Sequence, residues 1–465
     1  MKDLREFVGR YRSLWGLLGV LFVLGNVHPA LGIVALTAFV LQRMRRGDHQ
    51  LLIFTLVVIF ILGDSRVGSL QFVKPLRTVI LLLLFFQTVA DLVQRRYPFR
   101  RLTLLLVPFF ILSALVSVRN PSPILSFSKA LSYVLIIFVA MHYFNHHIRQ
   151  KRQRFLRDLV MLATLACLIG LGLRFVAPDI AMFDGGIRYR GIFGNPNGMG
   201  VYGSLMFPVL LLYLRFTPHG HDRRTVWLIF GALLISVFLS FSRNALTCIM
   251  LFLLLSFIHK GSPIKPLLFY GLGIPSIVFL LSGRNLVTLL ELIGLAEELR
   301  AETLLTGSGR VFAWQWAIEN FLENPILGRG FAFEEILFHK HMPEWLYATG
   351  HQGGVHNSYL SFLLNTGIVG LTLILIFWIL LARWIRPAYY RPAIMLSAGF
   401  SAFFEPWLNS SLNAFTVHLL LLILLYSNFY LLTGQRDPQA GPAPTSDKPA
   451  SGGTTDPPET SAPLR

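Results

Sequence analysis

Apolar runs recur along almost the whole chain, and many are long enough to cross a hydrocarbon layer of roughly 30 Å as a helix. They predict spans at 13–26, 29–43, 50–64, 73–94, 102–118, 124–144, 158–177, 198–215, 225–240, 244–259, 266–282, 357–383, 393–409 and 414–433. Several are short, and the first two can also be drawn as a re-entrant pair, so the count is 12 to 14. The pattern breaks once, between 283 and 356, where the longest hydrophilic stretch between spans falls. Inside it Ser308-Gly309 precedes Arg310 to Leu322, an amphipathic helical pattern ended by Asn324-Pro325 and Gly328-Arg329-Gly330. Its two tryptophans, Trp314 and Trp316, place it on the bilayer interface or as a cap on the bundle.

These runs imply an all-α polytopic membrane protein in four parts. Residues 1–282 form an N-terminal transmembrane bundle and 283–356 a large loop domain outside the membrane. Residues 357–433 form C-terminal transmembrane helices, and 434–465, rich in Gly, Pro, Ser and Thr, form a disordered cytoplasmic tail.

Charge fixes the expected orientation. With the N-terminus in the cytoplasm, every even-numbered loop is basic, from Arg43/Arg45/Arg46 through Arg149/Lys151/Arg152/Arg154/Arg157 to Arg383/Arg386/Arg391. The short odd-numbered loops hold few cations, as the positive-inside rule requires, and both termini come out cytoplasmic. The net charge of +18 is therefore topological, and no zinc-finger spacing or other nucleic-acid motif accompanies it. A hydrophobic share of 54% and a charged share of 14% exclude an ordinary soluble domain. Cys167 and Cys248 lie inside apolar runs and make neither a disulfide framework nor a metal spacing. The basic N-terminal stretch precedes an apolar run like a signal peptide, but no small-residue cleavage site follows, so an uncleaved first span is expected.

Polar residues at span ends on the outer face are the candidates for chemistry. They are the turn-rich loop Arg188 to Asn197, the short turn Ser240-Phe241-Ser242-Arg243-Asn244, Arg310, and the cluster His356-Asn357-Ser358-Tyr359. Cations at membrane depth are costly, so they snorkel, pair or serve a function. Either Arg190 or Arg243 alone is equally explained by snorkelling, and Arg310 by a solvated helix start. Two arginines on one face beside a polar loop favour an anionic ligand, because guanidinium grips phosphate oxygens in a fork. His356 sits where the bundle restrains it, and imidazole suits proton abstraction near neutral pH. Asn357 fits a helix cap as well as a substrate contact. Glu405, with Pro406, falls inside the thirteenth predicted span, where an acid is a functional candidate or a partner for one of the arginines. No Asp-x-Asp pair accompanies them, so no metal and no cofactor is expected.

In this order, Arg190-Gly191-x-Phe193…Asn195-Pro196-Asn197, Ser242-Arg243, Ser308-Gly309-Arg310 with Pro325 and Gly328-x-Gly330, and His356-Asn357-Ser358-Tyr359 resemble the bacterial O-antigen ligase and O-antigen polymerase superfamily. The resemblance covers roughly 188–384. It implies a GT-C-like glycosyltransferase architecture in the bacterial inner membrane, with the active site facing the periplasm. It further implies a donor glycan on undecaprenyl pyrophosphate, transferred without metal and with inversion to a hydroxyl of lipid A–core. Arg190, Arg243 and Arg310 would then serve the pyrophosphate and His356 would act as general base. Asn197, Asn357, Tyr359 and Glu405 would support them.

An O-antigen ligase is the expectation, with donor glycan, glycan or lipid A–core acceptor and membrane lipids as its partners. An O-antigen or exopolysaccharide polymerase using the same groups is the nearest alternative. A transporter of small anions is more remote, because polar groups there should sit near the midplane of broken repeats. Here they cluster on one face, with Glu405 the exception.

Overall fold

A computed structural model describes residues 2–64, 70, 72–93, 100–183, 186–216, 223–261, 264–273, 310–341, 354–410 and 412–435. The expected tail beyond 435, much of the expected loop domain (283–309 and 342–353) and the end of the eleventh predicted span (274–282) lie outside the described residues. The elements among the described residues are helices, joined by turns and loops, and one two-stranded β ribbon. In chain order the helices are α1 (Lys2–Arg10), α2 (Arg12–Val27), α3 (Pro29–Arg45), α4 (His49–Asp64), α5 (Val73–Val93), α6 (Arg100–Thr103), α7 (Leu106–Ser117) and α8 (Pro123–Val139). A π turn over Ala140–Phe144 leads into α9 (Asn145–Lys151), α10 (Gln153–Val176) and α11 (Pro178–Ala181). Strands β1 (Met182–Phe183) and β2 (Arg188–Tyr189) pair antiparallel, Met182 opposite Tyr189. Then follow α12 (Pro196–Phe216), α13 (Arg223–Leu239), α14 (Arg243–Ile258) and α15 (Ile264–Leu268). The last helices are α16 (Arg310–Leu322), α17 (Phe333–His341), α18 (Ser358–Ala382), α19 (Tyr390–Phe404), α20 (Ala414–Ser427) and α21 (Phe429–Thr433).

Among the described residues, five helices are long and apolar enough to cross a membrane: α5, α8 continued to Lys151, α10, α12 and α18. The bent pair α1–α2 brings that to six if it is one span, and further apolar helices such as α4, α14 and α20 are shorter. The chain is thus an all-α polytopic membrane protein. Helices fall on every predicted span that is fully described. The first two form a hairpin in which α2 and α3 pack together, joined at His28, whose ring accepts the Ala30 N–H at 3.2 Å. The fifth predicted span divides into α6 and α7, with Pro108 in the first turn of α7, where a missing N–H costs nothing. Large apolar side chains such as Val23, Phe86, Phe175 and Met250 remain exposed on helix exteriors, as lipid-facing positions do.

One helix is opened rather than continuous. Within α18, Gly367 adopts φ 64°, a left-handed conformation that interrupts the helical ladder. The loop after α16 repairs it. Arg329 N–H donates to Leu364 O at 3.0 Å and Gly330 N–H to Asn365 O at 2.7 Å. In return Ile368 N–H donates to Pro325 O at 2.9 Å and Val369 N–H to Ile326 O at 3.3 Å. A Cβ on Gly367 would lie 2.2 Å from Ile326 O, so a side chain has no room there. Buried backbone groups in an apolar bundle need partners, and this loop supplies them. The Asn-Pro and Gly-Arg-Gly signals that end α16 thereby also anchor the loop to the bundle.

Candidate functional site

The candidate residues sit at element ends that converge on one end of the bundle. Glu405 is the hinge of the arrangement. As the residue before Pro406 it is pushed towards extended backbone, and it takes φ −142°, ψ 143° directly after α19 ends at Phe404. The sequence places it inside a span. Pro406 instead ends that helix one residue earlier and leaves the carboxylate at the break, in a residue only 8% exposed. The Ser358 hydroxyl donates to the Glu405 carbonyl at 2.7 Å and accepts the Leu408 N–H at 3.1 Å, tying the start of α18 to this break.

Three candidates meet at that carboxylate. Arg310, first residue of α16, donates from Nη2 to Glu405 Oε1 at 2.8 Å. Asn197, in the first turn of α12, donates from Nδ2 to the same oxygen at 2.8 Å. His356 Nδ1 lies 3.9 Å from Glu405 Oε2. This is within ion-pair range for a protonated ring but longer than a hydrogen bond. His356 has φ 51°, left-handed backbone that a non-glycine residue adopts only when its surroundings impose it. Phe241, in the turn before Arg243, has φ 47°. Two of the four non-glycine residues with positive φ among the described residues therefore flank this site.

Behind Asn197 stands Arg188. The buried Arg188 donates from Nη2 to Asn197 Oδ1 at 3.0 Å. It also donates from Nε and Nη2 to Ser240 O at 3.2 and 3.1 Å. Asn197 thus links a guanidinium to a carboxylate, and Arg188 ties the 188–197 loop to the turn that carries Arg243. Both residues of β2, Arg188 and Tyr189, are buried.

The other candidates occupy the same end without a described bond to Glu405. Arg190 donates from Nε to Ile180 O at 2.9 Å and from Nη2 to Asp179 O at 2.6 Å, with its guanidinium 5.7 Å from the Phe183 ring centre. Arg243 opens α14 and is half-buried; Ser242 caps the helix by accepting the Ala245 N–H at 3.4 Å. A Cβ on Gly200 would lie 2.6 Å from Ser242 Oγ, so α12 passes this turn at backbone distance. Asn357 is a helix cap, its Oδ1 accepting the Tyr359 and Leu360 N–H groups at 2.9 and 3.1 Å. The Tyr359 hydroxyl donates to Gly399 O at 3.0 Å and braces α18 against α19.

Helix α16 covers this end. The Trp314 indole donates to Val355 O at 2.9 Å and packs 5.4 Å from Phe403, while Trp316 meets Phe338 of α17 at 4.9 Å. Trp314 thus packs α16 against the end of α19. In α17, desolvation of the half-buried Glu334 raises its pKa, as does the neighbouring Glu335. The Ser361 hydroxyl, donating at 2.6 Å, opposes the shift, with Lys129 and a Val355 backbone hydrogen bond.

Fold and site together define a multispan helical membrane protein with arginines, a histidine and a buried carboxylate gathered at one bundle end. Residues 228–375 match the family model described as O-antigen ligase, which identifies this stretch as belonging to the O-antigen ligase superfamily. The matched stretch contains Arg243, Arg310 and His356, whereas Arg188, Arg190, Asn197 and Glu405 lie outside it. No curated protein matches the chain.

Proposed function

We propose that this protein is an O-antigen ligase that transfers a glycan from undecaprenyl pyrophosphate to a hydroxyl of lipid A–core at the periplasmic face of the inner membrane. The observation that carries the reading is the convergence of Arg310, Asn197 and His356 on Glu405, at the end of the bundle where Arg190 and Arg243 also lie.

A pyrophosphate is already a good leaving group, so the protein must position the acceptor, remove one proton and neutralise departing charge. In this reading His356 accepts the acceptor's hydroxyl proton while that oxygen forms a bond to the anomeric carbon. The bond from that carbon to the pyrophosphate oxygen breaks on the opposite side, and its electron pair leaves with undecaprenyl pyrophosphate. The anomeric centre inverts. Arg190, Arg243 and Arg310 supply the positive charge that stabilises the leaving group, so no metal is needed. Glu405 orients His356 and stabilises the imidazolium formed by proton uptake, as a carboxylate does in other histidine-base sites. The 3.9 Å separation then closes in the substrate complex, where catalytic hydrogen bonds tighten.

Deleting the gene and separating lipopolysaccharide and undecaprenyl-linked glycans on gels tests the proposal. Bare core with long polymer stranded on the carrier is the expected result. Core bearing a single repeat would make the protein a polymerase with the same site. Unchanged pools would remove O-antigen from the reading.

A further inference from the structure

We propose that a second anion site lies at the far end of the bundle and takes a phosphate group, presented by a lipid headgroup or by a soluble phosphate. A cavity of about 300 Å³ opens there between the starts of α2, α4 and α10 and the end of α9. The cavity lies at the start of α10, a helix about 36 Å long, whereas the loop that carries Arg188 and Asn197 follows beyond its other end. It belongs to no step of the proposed transfer.

The wall is a set of polar side chains held in place from behind. Asp158, fully buried, collects Arg10 Nη1 at 2.6 and 2.8 Å, the Tyr11 hydroxyl at 2.9 Å and Gln50 Nε2 at 3.1 Å. All three partners line the cavity. On another side the π turn brings Tyr143 to hydrogen-bond His49 Nδ1 at 2.7 Å, and His49 stacks on the buried His147 at 4.9 Å. π turns often mark functional sites in helices, and buried polar groups are expensive in a membrane bundle. Here they shape a concave, polar space.

The charge in this cavity is positive. Asp158 offsets Arg10, and Arg43, 3.6 Å away, offsets Asp48. Lys151 and Arg154 then remain on the rim, both exposed and neither with an ion-pair partner among the described residues. Two uncompensated cations over a polar hollow suit a phosphate, which accepts from ammonium and guanidinium alike. In the orientation that the basic loops imply, this end meets the anionic cytoplasmic leaflet.

The test uses the full chain and the double variant Lys151→Gln/Arg154→Gln, whose exposed positions leave the fold intact. Lys260→Gln/Lys265→Gln, exposed cations elsewhere, serves as control. Native mass spectrometry reads phosphatidylglycerol retained against phosphatidylcholine, and thermal unfolding reads the shift caused by inorganic phosphate. If the headgroup is the source, the double variant loses about tenfold in phosphatidylglycerol affinity and the control does not. If soluble phosphate is the source, inorganic phosphate raises the unfolding midpoint of the wild type and the control but not of the double variant. Equal behaviour of the wild type and the double variant in both measurements, or an equal loss in the control, overturns the site.

Discussion

Two buried carboxylates organise opposite ends of this bundle, and they are held differently. Both oxygens of Asp158 are occupied by close donors, Arg10 of α1, Tyr11 at the α1–α2 junction and Gln50 of α4, all between 2.6 and 3.1 Å. At Glu405 one oxygen takes both Arg310 and Asn197, while the other has only His356, at 3.9 Å, among the described residues. The backbone differs too. Asp158 lies in the regular helix α10, whereas Glu405 sits at a proline-forced break opposite a histidine with left-handed φ. A fully satisfied carboxylate fixes structure. A carboxylate with one oxygen less tightly held, beside an imidazole in a sparsely populated conformation, is the arrangement that the proposed transfer requires.

The sharpest way to break that contrast is to remove the imidazole. His356→Ala should reduce glycan transfer by about 10²–10⁴-fold, the usual contribution of a general base, while the protein still inserts and folds. Lipopolysaccharide gels from a deletion strain complemented with the variant give the answer, and normal ligation there would defeat the base assignment. Glu405→Gln should follow with about a ten- to hundredfold loss. The amide oxygen can still accept from Arg310 and Asn197, but the charge facing His356 disappears. Retained activity would reduce Glu405 to a packing residue.

Asp158→Asn tests the other half of the comparison. It leaves Arg10, part-buried on the cavity wall, without its counter-charge and should lower stability by about 1–3 kcal/mol, with transfer per folded molecule nearly unchanged. Thermal unfolding in detergent, beside activity normalised to folded protein, separates the two effects. If Asp158→Asn abolished transfer without destabilising the protein, the two carboxylates would not differ in kind.

How much of this was legible in the sequence follows from how local each signal is. Spans are written in contiguous apolar residues, so helices fall where the runs predict, from α4 over Val57-Val58-Ile59 to α20 over Leu419 to Leu425. The helix at Arg310–Leu322 and the Asn357 cap were equally local. Glu405 was legible as a candidate, but its position was not, because the apolar run continues past Pro406 while the proline ends the helix before it. Arg188 was passed over for a different reason. Its partners, Asn197 and Ser240, are 9 and 52 residues away, and only the fold brings them together. The repair of α18 by Pro325 to Gly330 is non-local in the same way: Gly367 reads as an ordinary small residue in a span until the loop donating to Leu364 O is seen.

The smallest expected effect sharpens the boundary between the bundle and its cap. Glu334 in α17 accepts from Ser361 in α18, and burial raises its pKa above the ordinary carboxylate value of 4.5. A raised carboxyl pKa means that the fold favours the neutral acid. The protein therefore carries no penalty from this group at pH below 4.5, and gains one as pH rises through the folded-state value. Glu334→Gln keeps an oxygen for the Ser361 hydroxyl and removes the titration. Its unfolding midpoint should exceed that of the wild type at pH 7 and 8, and the difference should shrink towards zero near pH 4. The opposite trend, a variant that loses stability as pH rises, would mean that the ionised carboxylate is the favoured form. Lys129, which pairs with the adjacent Glu335, would then be holding the cap to α8 through charge on both glutamates rather than one.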